Sequence, residues 1–397
     1  MPALLRSPRF AACALLAGLL VGSLTSLAAG PAALNWALLW GAGADADLAR
    51  LVLLELRLPR LMAALCAGSL LATSGAALQA LFQNPLAEPG LVGVSAGAAL
   101  GAAGLLVLFP TGATAAALPL AAFFGALATA ALIASIGLRS AAGDHGTLLL
   151  AGIAINAVAG AGIALLTYIA SDSALRQLSF WLFGDLSRPT AGQLATGLPW
   201  MVLAAVCLWR LARGLNLLQL GPANALALGV RPQRLRNTVL IAVALGVGTA
   251  VALVGTIAFV GLVVPHLIRA WVGPDQRPLL PLSALAGANL LIWADLVARS
   301  LIAPAEIPAG VLTALLDRLA KAGIDHAEWP VVLDETPPDL SGIDPTRARP
   351  VVYAVISPDS AAPSNPGNPD STPGTDRAAR VAARPSCPSS HFVEWRS

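Results

Sequence analysis

The sequence predicts an all-α membrane protein, a bundle of helices that crosses the bilayer many times. Apolar residues make up 57% of the 397 residues and charged residues only 11%, whereas an ordinary soluble domain is about 25% charged. The mean hydropathy is +0.75, and long apolar runs alternate with short polar breaks up to residue 316. Because a soluble core stops growing at about 250–300 residues, this composition excludes a soluble enzyme, a disordered chain and a nucleic-acid binder as the main body.

Nine apolar runs approach or exceed the roughly 20 residues that a spanning helix needs. In chain order they cover residues 10–29, 61–82, 92–108, 115–138, 147–170, 191–211, 239–254, 257–272 and 279–297. A tenth run begins at residue 307 and stops at residue 316. The first run follows Arg6 and Arg9 and has the features of a signal peptide, but the eight runs behind it favour a retained first span.

The arginines predict the orientation in the membrane. With the N-terminus inside the cell, ten arginines of the first 316 residues fall on inner segments and six on outer segments, as the positive-inside rule requires. Arg57, Arg60 and Arg299 lie at outer span ends, against this bias. Two ordinary explanations exist: snorkelling to the membrane surface, or local pairing of Arg57 with Glu55 and of Arg299 with Asp295.

One catalytic-type pattern, GxSxG at residues 93–97, occurs in the sequence, but it lies inside an apolar run, whereas a nucleophile elbow needs a strand-to-helix turn. Other motifs for catalysis and metal binding are missing from the sequence. It contains no GxxxxGK[ST], HExxH or CxxC pattern, and its only lysine is Lys321. Its four cysteines and four histidines are scattered without metal-ligand spacing. Asp295 is the only acid clearly inside a late span, fewer than a proton-coupled carrier is expected to show. We therefore predict no catalytic residue, no metal and no cofactor, and a pore-forming subunit driven by another protein.

Three segments carry a recognisable pattern. Residues 57–102 read RLPRLMAALCAGSLLATSGAALQALFQNPLAEPGLVGVSAGAALGA, with a polar turn that holds Asn84, Pro85 and Pro89. Residues 215–230 read LNLLQLGPANALALGV, and residues 255–269 read GTIAFVGLVVPHLIR. Together they resemble the FecCD-like permease family of ATP-binding-cassette (ABC) importers, which take up iron–siderophore, haem or vitamin B12. The resemblance covers about residues 10–316 and departs at Pro222, where the family usually has glutamate.

The resemblance implies a function and a set of partners. It implies about ten spans in the bacterial inner membrane, with a cytoplasmic N-terminus and a second permease subunit, identical or paired. It implies two cytoplasmic ATPase subunits and a periplasmic substrate-binding protein, so that the permease itself is not an enzyme. ATP-driven alternating access then moves the ligand through a pathway between the two permeases.

The resemblance also implies two docking sites. Arg57, Arg60 and Arg299 are expected to receive acidic residues of the binding protein, since a guanidinium suits paired bonds to a carboxylate. A short helix over residues 222–228 is expected to dock into a groove of the ATPase. The coupling residues are predicted to be Pro222, Ala223, Ala225, Leu228 and Gly229. The alternative for this segment is an ordinary basic surface loop.

The last 81 residues depart from the family. Residues 317–397 hold 12 of the 30 prolines and 11 of the 21 acids, a composition typical of disorder or a linker. Residues 307–316 supply about 15 Å of helix, whereas a membrane core is about 30 Å thick. We therefore predict a permease domain over residues 1–316, with an incomplete last span, and an atypical tail over residues 317–397. A frameshift or gene-model error is the first explanation of the tail; a genuine short variant and a fused small domain are the others.

Several functions remain open at this point. An iron–siderophore permease is the first choice, because that branch of the family is the broadest, and a haem or vitamin B12 permease is the alternative. From other classes come an ATP-independent secondary carrier and a non-functional truncated permease. The scarcity of buried acids and the segment at residues 214–237, on the predicted inner side, both favour the ABC importer.

Overall fold

The structure is a computed structural model that describes residues 7–29, 41, 43–109, 117–139, 145–301 and 308–314. The chain divides into two units, Met1–Trp329 and Pro330–Ser397. The second unit, and with it the predicted tail over residues 317–397, lies outside the described residues. The described residues form helices and no strand, which confirms the predicted all-α class.

Twelve α-helices follow one another along the described chain. They are α1 Pro8–Ala28, α2 Ala44–Leu51, α3 Leu58–Phe82, α4 Val94–Leu108, α5 Ala117–Arg139, α6 His145–Ile169, α7 Asp172–Leu182, α8 Ala191–Leu218, α9 Pro222–Ala227, α10 Pro232–Val254, α11 Val260–Val272 and α12 Gln276–Leu301. A π-helical segment, Val52–Arg57, joins α2 to α3 without a break. Residues 309–314 are helical as well, so the described part of the predicted tenth run is a short helical stretch.

Each of the nine predicted runs coincides with a helix. Among the described residues, seven helices are long and apolar enough to cross a membrane, with Ala44–Phe82 counted as one. The other two, α4 and α11, have 15 and 13 residues, or about 22 and 20 Å of helix. They are apolar but shorter than a bilayer core. The glycine-containing turns 83–93 and 255–259 precede them.

The predicted boundaries were wrong where a helix continues into polar sequence. The span predicted to end at residue 211 continues to Leu218, and the span predicted to begin at residue 239 starts at Pro232. The helices α2 and α7 were not predicted at all. They are short, with 8 and 11 residues, and they mix acidic and apolar side chains, so a search for long apolar runs passes over them.

The centre of the bundle is built from α3 and α10, whose apolar windows are each 78% buried. Small residues let neighbouring backbones touch there, as packing in lipid requires. A Cβ atom added to Gly68 of α3 would overlap the carbonyl oxygen of Gly287 in α12, and one added to Gly75 would overlap that of Gly261 in α11. The helix α3 is therefore locked between α11 and α12.

The glycine pair Gly97 and Gly101 packs α4 against α5. A Cβ atom on Gly97 would lie 2.5 Å from the carbonyl oxygen of Gly125, and one on Gly101 would overlap that of Ala121. Both glycines thus serve close packing. In contrast, α6 presents large apolar side chains outward, among them Leu150, Val158 and Leu165.

Candidate functional site

The bundle has two ends that differ in chemistry. The helix α3 spans 25 residues, or about 37 Å, and it runs antiparallel to α12. The arginine end holds Arg57, Arg60 and Arg299, near the start of α3 and the end of α12. The opposite end, called here the α9 end, holds α9 and the turn over residues 83–90. The structure thus brings the three predicted docking arginines together and keeps them apart from the predicted coupling helix.

A buried carboxylate organises the arginine end. Asp295 of α12 is 2% exposed. The Nε of Arg60 donates to both of its carboxylate oxygens, at 2.9 and 3.1 Å, and the Nη2 of Arg60 lies 2.9 Å from Oδ1. The Nε of Arg299 lies 3.5 Å from Oδ2. One carboxylate therefore bridges two guanidinium groups and ties α3 to α12.

The sequence indicated only part of this cluster. The pairing of Arg299 with Asp295 was raised as an alternative because the two residues are one helical turn apart, and the structure has that contact. The shorter contact between Arg60 and Asp295 was missed. These residues are 235 positions apart, so no local spacing signals that they meet.

The other face of the cluster holds the end of α1. The Nη1 of Arg57 donates to the carbonyl oxygens of Leu27 and Ala28, at 2.5 and 3.0 Å. A helix leaves its last carbonyl groups without partners inside the helix, and a cation is favourable at that end of the dipole. Arg57 is therefore a cap of α1 supplied by another helix, and it is only 7% exposed.

Arg299 completes the same cap from α12. Its Nη1 donates to the carbonyl oxygen of Ala29 at 3.1 Å. Its Nη2 donates to the carbonyl oxygen and the hydroxyl of Ser26, at 2.9 and 2.8 Å. The side chain is 5% exposed. Four consecutive carbonyl groups, those of residues 26–29, are thus bonded by two arginines.

The π-helical segment places Arg57 at the end of α1. The N–H of Leu58 donates to the carbonyl of Leu53, five residues back. Pro59 has no N–H to give, and its ring needs room at the carbonyl of Glu55, four residues back. A wider π turn supplies that room. Pro59, in the sequence RLPR of residues 57–60, therefore accounts for the local geometry that points Arg57 at α1.

At the α9 end, a short helix stands where the coupling helix was predicted. Gly221 has φ +95°, Pro222 opens α9, and Gly229 has φ +86° just beyond its end. Positive φ favours glycine at both flanks. Ala225 is fully buried and anchors the helix, whereas Leu226 and Leu228 are 59% and 57% exposed.

The remaining predicted coupling positions, Pro222, Ala223 and Gly229, are also exposed. The helix α9 therefore offers a small apolar surface that the bundle itself leaves uncovered. Of the five predicted coupling residues, Ala225 alone faces inward.

The turn over residues 83–90 is fixed by its own hydrogen bonds. Asn84 accepts the N–H of Leu86 on its side-chain oxygen at 2.9 Å, and Gln83, at φ +50°, donates from Nε2 to the carbonyl of Leu218 at 2.9 Å. Pro89 is buried beside Gly261, while Pro85 is exposed. The turn is thus joined to the end of α8, directly before α9.

A polar cavity of about 370 Å³ opens beside this turn. Gln79, Gln83, Asn84, Gln219, Arg269 and Gln276 line it. Arg269 donates from Nη2 to the Oε1 of Gln79 at 2.8 Å, and Gln79 donates in turn to the carbonyls of Gly261 and Leu262. The ends of α3, α8 and α11 meet here, so Arg269 lies where several helix carbonyl ends need a cation.

Asp275 joins α8 to the start of α12. Its Oδ1 accepts the N–H of Arg277 at 3.0 Å and the side-chain amide of Asn216 at 2.6 Å. The backbone bond from Arg277, with the bond from Asn216 after it, holds the pKa of the Asp275 carboxyl below its usual range. Across the described ranges, no three His, Cys, Asp or Glu residues gather as a metal site would require.

Known proteins are similar to most of this sequence. Residues 18–318 match the FecCD transport family. The hemin transport system permease protein HmuU of Yersinia pestis is 42% identical over 318 residues, covering 78% of this chain and 93% of that protein. The vitamin B12 import system permease protein BtuC of Vibrio cholerae is 44% identical over 264 residues, covering 66% of this chain and 78% of that protein.

A solved structure shares the fold. An inward-facing conformation of a metal-chelate type ABC transporter superposes with a TM-score of 0.72 at 32% identity, covering 80% of this chain and 99% of the other. Sequence and fold therefore agree over almost the whole length of that transporter chain. The chain belongs to the FecCD transport family, the membrane-spanning permeases of ABC transporters, in which a separate subunit hydrolyses ATP.

Proposed function

We propose that this chain is the permease of an ABC importer for haem, with vitamin B12 as the second candidate. The observation that carries the proposal is the 42% identity to a hemin permease over 93% of that protein's length. The second candidate, vitamin B12, is supported by a similar identity to BtuC of Vibrio cholerae over a smaller share of that protein. Each ligand is a large metal chelate, the class named for the matching structure. The iron–siderophore expectation belongs to the same class and forms the third arm of the test.

The ATPase partner is proposed to bind at the α9 end. The helix α9 stands on one buried alanine and exposes apolar side chains, and such a helix suits insertion into an apolar groove. Hydrogen bonds from Gln83 and Asn216 connect the neighbouring turn and α12 to the end of α8. Movement of the ATPase at α9 would therefore be passed to α3 and α12.

The substrate-binding protein is proposed to dock at the arginine end through Arg57, Arg60 and Arg299. Arg60 and Arg299 share one carboxylate, Asp295, and Arg57 adds a third guanidinium group at the end of α1. An excess of positive charge attracts acidic groups, and a guanidinium binds carboxylates through paired hydrogen bonds.

A second permease copy is proposed to complete the pathway. The helix α6 has a spanning window that is only 11% buried within one chain. A second subunit, identical or paired, would cover part of this apolar surface and enclose a ligand path between the copies. In this arrangement the transporter lies in the bacterial inner membrane, and the N-terminus of the chain is cytoplasmic.

We propose that residues 1–316 form the permease and that residues 317–397 are an added tail that transport does not require. Sequencing the coding DNA around codon 316 tests a frameshift. A reporter fused at Ser397 tests topology, since a periplasmic signal is expected if the last span is incomplete and a cytoplasmic signal would contradict this.

The ligand is tested by uptake into proteoliposomes. The permease is reconstituted with its ATPase and binding protein, and radiolabelled haem, cyanocobalamin and a ferric siderophore are supplied separately. Haem accumulation that exceeds the other two is the expected result. Preference for cobalamin or the siderophore would overturn the haem assignment, and absence of all uptake would favour a non-functional permease.

A further inference from the structure

The three arginines at the arginine end differ in the groups that they bond inside the chain. Arg57 and Arg299 bond to the last carbonyl oxygens of α1, those of residues 26–29. Arg60 instead holds the carboxylate of Asp295 through three contacts of 2.9–3.1 Å. A surface that docks an acidic partner through this cluster must therefore change some of these bonds.

The bonds differ in how readily a carboxylate replaces them. The contacts between Arg60 and Asp295 join two opposite charges, and these side chains are 13% and 3% exposed, respectively. The bonds from Arg57 to Leu27 and Ala28 end on neutral carbonyl oxygens. A bond from a guanidinium to a carbonyl has a charge on the donor only, whereas the contacts of Arg60 with Asp295 add the attraction between two opposite charges. An incoming carboxylate therefore gains more by replacing the carbonyls at Arg57 than by replacing Asp295 at Arg60.

The helix α1 is placed to respond to such an exchange. Only 17% of its apolar window is buried, and its closest packing is against α12, where Gly18 and Gly22 meet Asn289 and Trp293. Beyond the bond from the Ala29 N–H to the carbonyl of Thr25, its last carbonyl groups are held by arginine side chains. The loss of these bonds would uncap the last turn of α1 and leave the central helices in place.

We propose that Arg57 is the exchangeable arginine of this cluster and couples docking to α1. When an acidic group docks, the Arg57 guanidinium leaves the carbonyls of Leu27 and Ala28 and binds the new carboxylate. The end of α1 then loosens, while Arg60 stays on Asp295 and keeps α3 fastened to α12. This inference rests on the proposed docking of a substrate-binding protein at the arginine end.

Amide hydrogen exchange measures the proposed coupling directly. The complete permease–ATPase complex in lipid nanodiscs is compared with and without the soluble substrate-binding protein of the same importer. The amides of residues 25–29 donate to carbonyls inside α1, and their exchange is expected to become about tenfold faster on docking, because the last turn frays more readily once it loses capping bonds worth about one net hydrogen bond. Exchange in the middle of α3 is expected to stay unchanged.

Variants separate the roles of the arginines. In Arg57→Gln, exchange at residues 25–29 should be fast from the start and insensitive to the binding protein, and docking should weaken about tenfold, as for one lost charged hydrogen bond. Arg50→Gln is the matched control, because Arg50 is exposed and pairs with Asp47 on α2; both readouts should match the wild type.

The two proposals fail in distinguishable ways. Docking that leaves exchange at residues 25–29 unchanged or slower in the wild type overturns the exchange mechanism and keeps the docking site. Docking that is unaffected by Arg57→Gln likewise removes Arg57 from the mechanism. If the binding protein does not bind the complex at all, the docking assignment and the exchange are both wrong.

Discussion

Asp295 shows how one residue can decide the stability of a membrane bundle. It lies within the spanning part of α12, it is 2% exposed, and two guanidinium groups converge on it. A charge in that position is costly unless it is paired and hydrogen-bonded. The sequence marked Asp295 as unusual because acids inside late spans are rare, but only the fold shows that Arg60 is its main partner.

Asp295→Asn is expected to destabilise the protein strongly. The substitution leaves Arg60 and Arg299 beside a neutral amide, and breaking a buried ion pair by removing one partner costs about 3–5 kcal/mol. The midpoint of thermal unfolding in detergent measures this loss. Asp47→Asn is the control, since the exposed pair of Asp47 and Arg50 is worth about 0–1 kcal/mol. Equal shifts for the two variants would contradict a structural role for the Asp295 carboxylate.

Asp275 gives a prediction that depends on pH. Its carboxylate accepts the N–H of Arg277 near the start of α12, as an N-cap does, and such a cap contributes about 1 kcal/mol. Because the folded-state pKa of Asp275 is lowered, this contribution is present above the unfolded pKa and is lost as the pH falls through the folded pKa. The stability difference between wild type and Asp275→Ala should therefore stay constant from pH 8 to about pH 5 and shrink below about pH 4. A difference that disappears already near pH 6 would show that another group controls it.

At the scale of elements, glycine decides how closely the central helices pack. A single Cβ atom at Gly68 would overlap the backbone of Gly287. Gly68→Ala should therefore force α3 and α12 apart and cost about 1–3 kcal/mol or more, seen as reduced yield and a lower unfolding temperature. Gly104→Ala in α4 is the matched control, because no atom lies within 4 Å of its added Cβ. A control that loses as much stability as Gly68→Ala would mean that helix propensity or lipid contact, rather than packing, sets the effect.

The helix α9 is tested by a change that leaves its anchor intact. Leu228→Asp places a charge on the exposed apolar surface and is expected to reduce association with the ATPase subunit by at least about tenfold, as burial of an unpaired charge in an interface requires. Phe183→Asp, at a residue 52% exposed near the opposite end, is the control and should not affect this association. Normal co-purification of Leu228→Asp with the ATPase would contradict docking through α9.

The elements differ in how far sequence could predict them. Long apolar runs predicted the nine apolar helices of the described residues, seven of them long enough to span a membrane, because lipid demands continuous apolar surface. The short helices α2 and α7 were not predicted, since helices of 8 and 11 residues do not span a membrane and need no continuous apolar surface. The position of α9 came from a family pattern rather than from hydropathy. The capping of α1 by Arg57 and Arg299 could not be predicted, because it joins residues about 30 and 270 positions apart.

At the scale of the molecule, α3 and α12 connect the two ends of the bundle, for which separate docking partners are proposed. Both helices run from the arginine end to the α9 end, and their backbones touch at Gly68 and Gly287. A displacement at one end of the bundle is therefore transmitted through α3 and α12, which cannot separate without losing their packing contacts. This arrangement suits a permease that receives ligand at one end and mechanical work at the other.

This chain is expected to transport its ligand only when a separate ATPase subunit drives it. The most direct measurement is haem and cobalamin uptake by proteoliposomes that contain the permease and binding protein, with and without the ATPase subunits, alongside ATP hydrolysis by the purified permease. We predict uptake only when the ATPase and ATP are both present, and no hydrolysis by the permease alone. Uptake of the same rate without the ATPase, or hydrolysis by the isolated chain, would contradict the account.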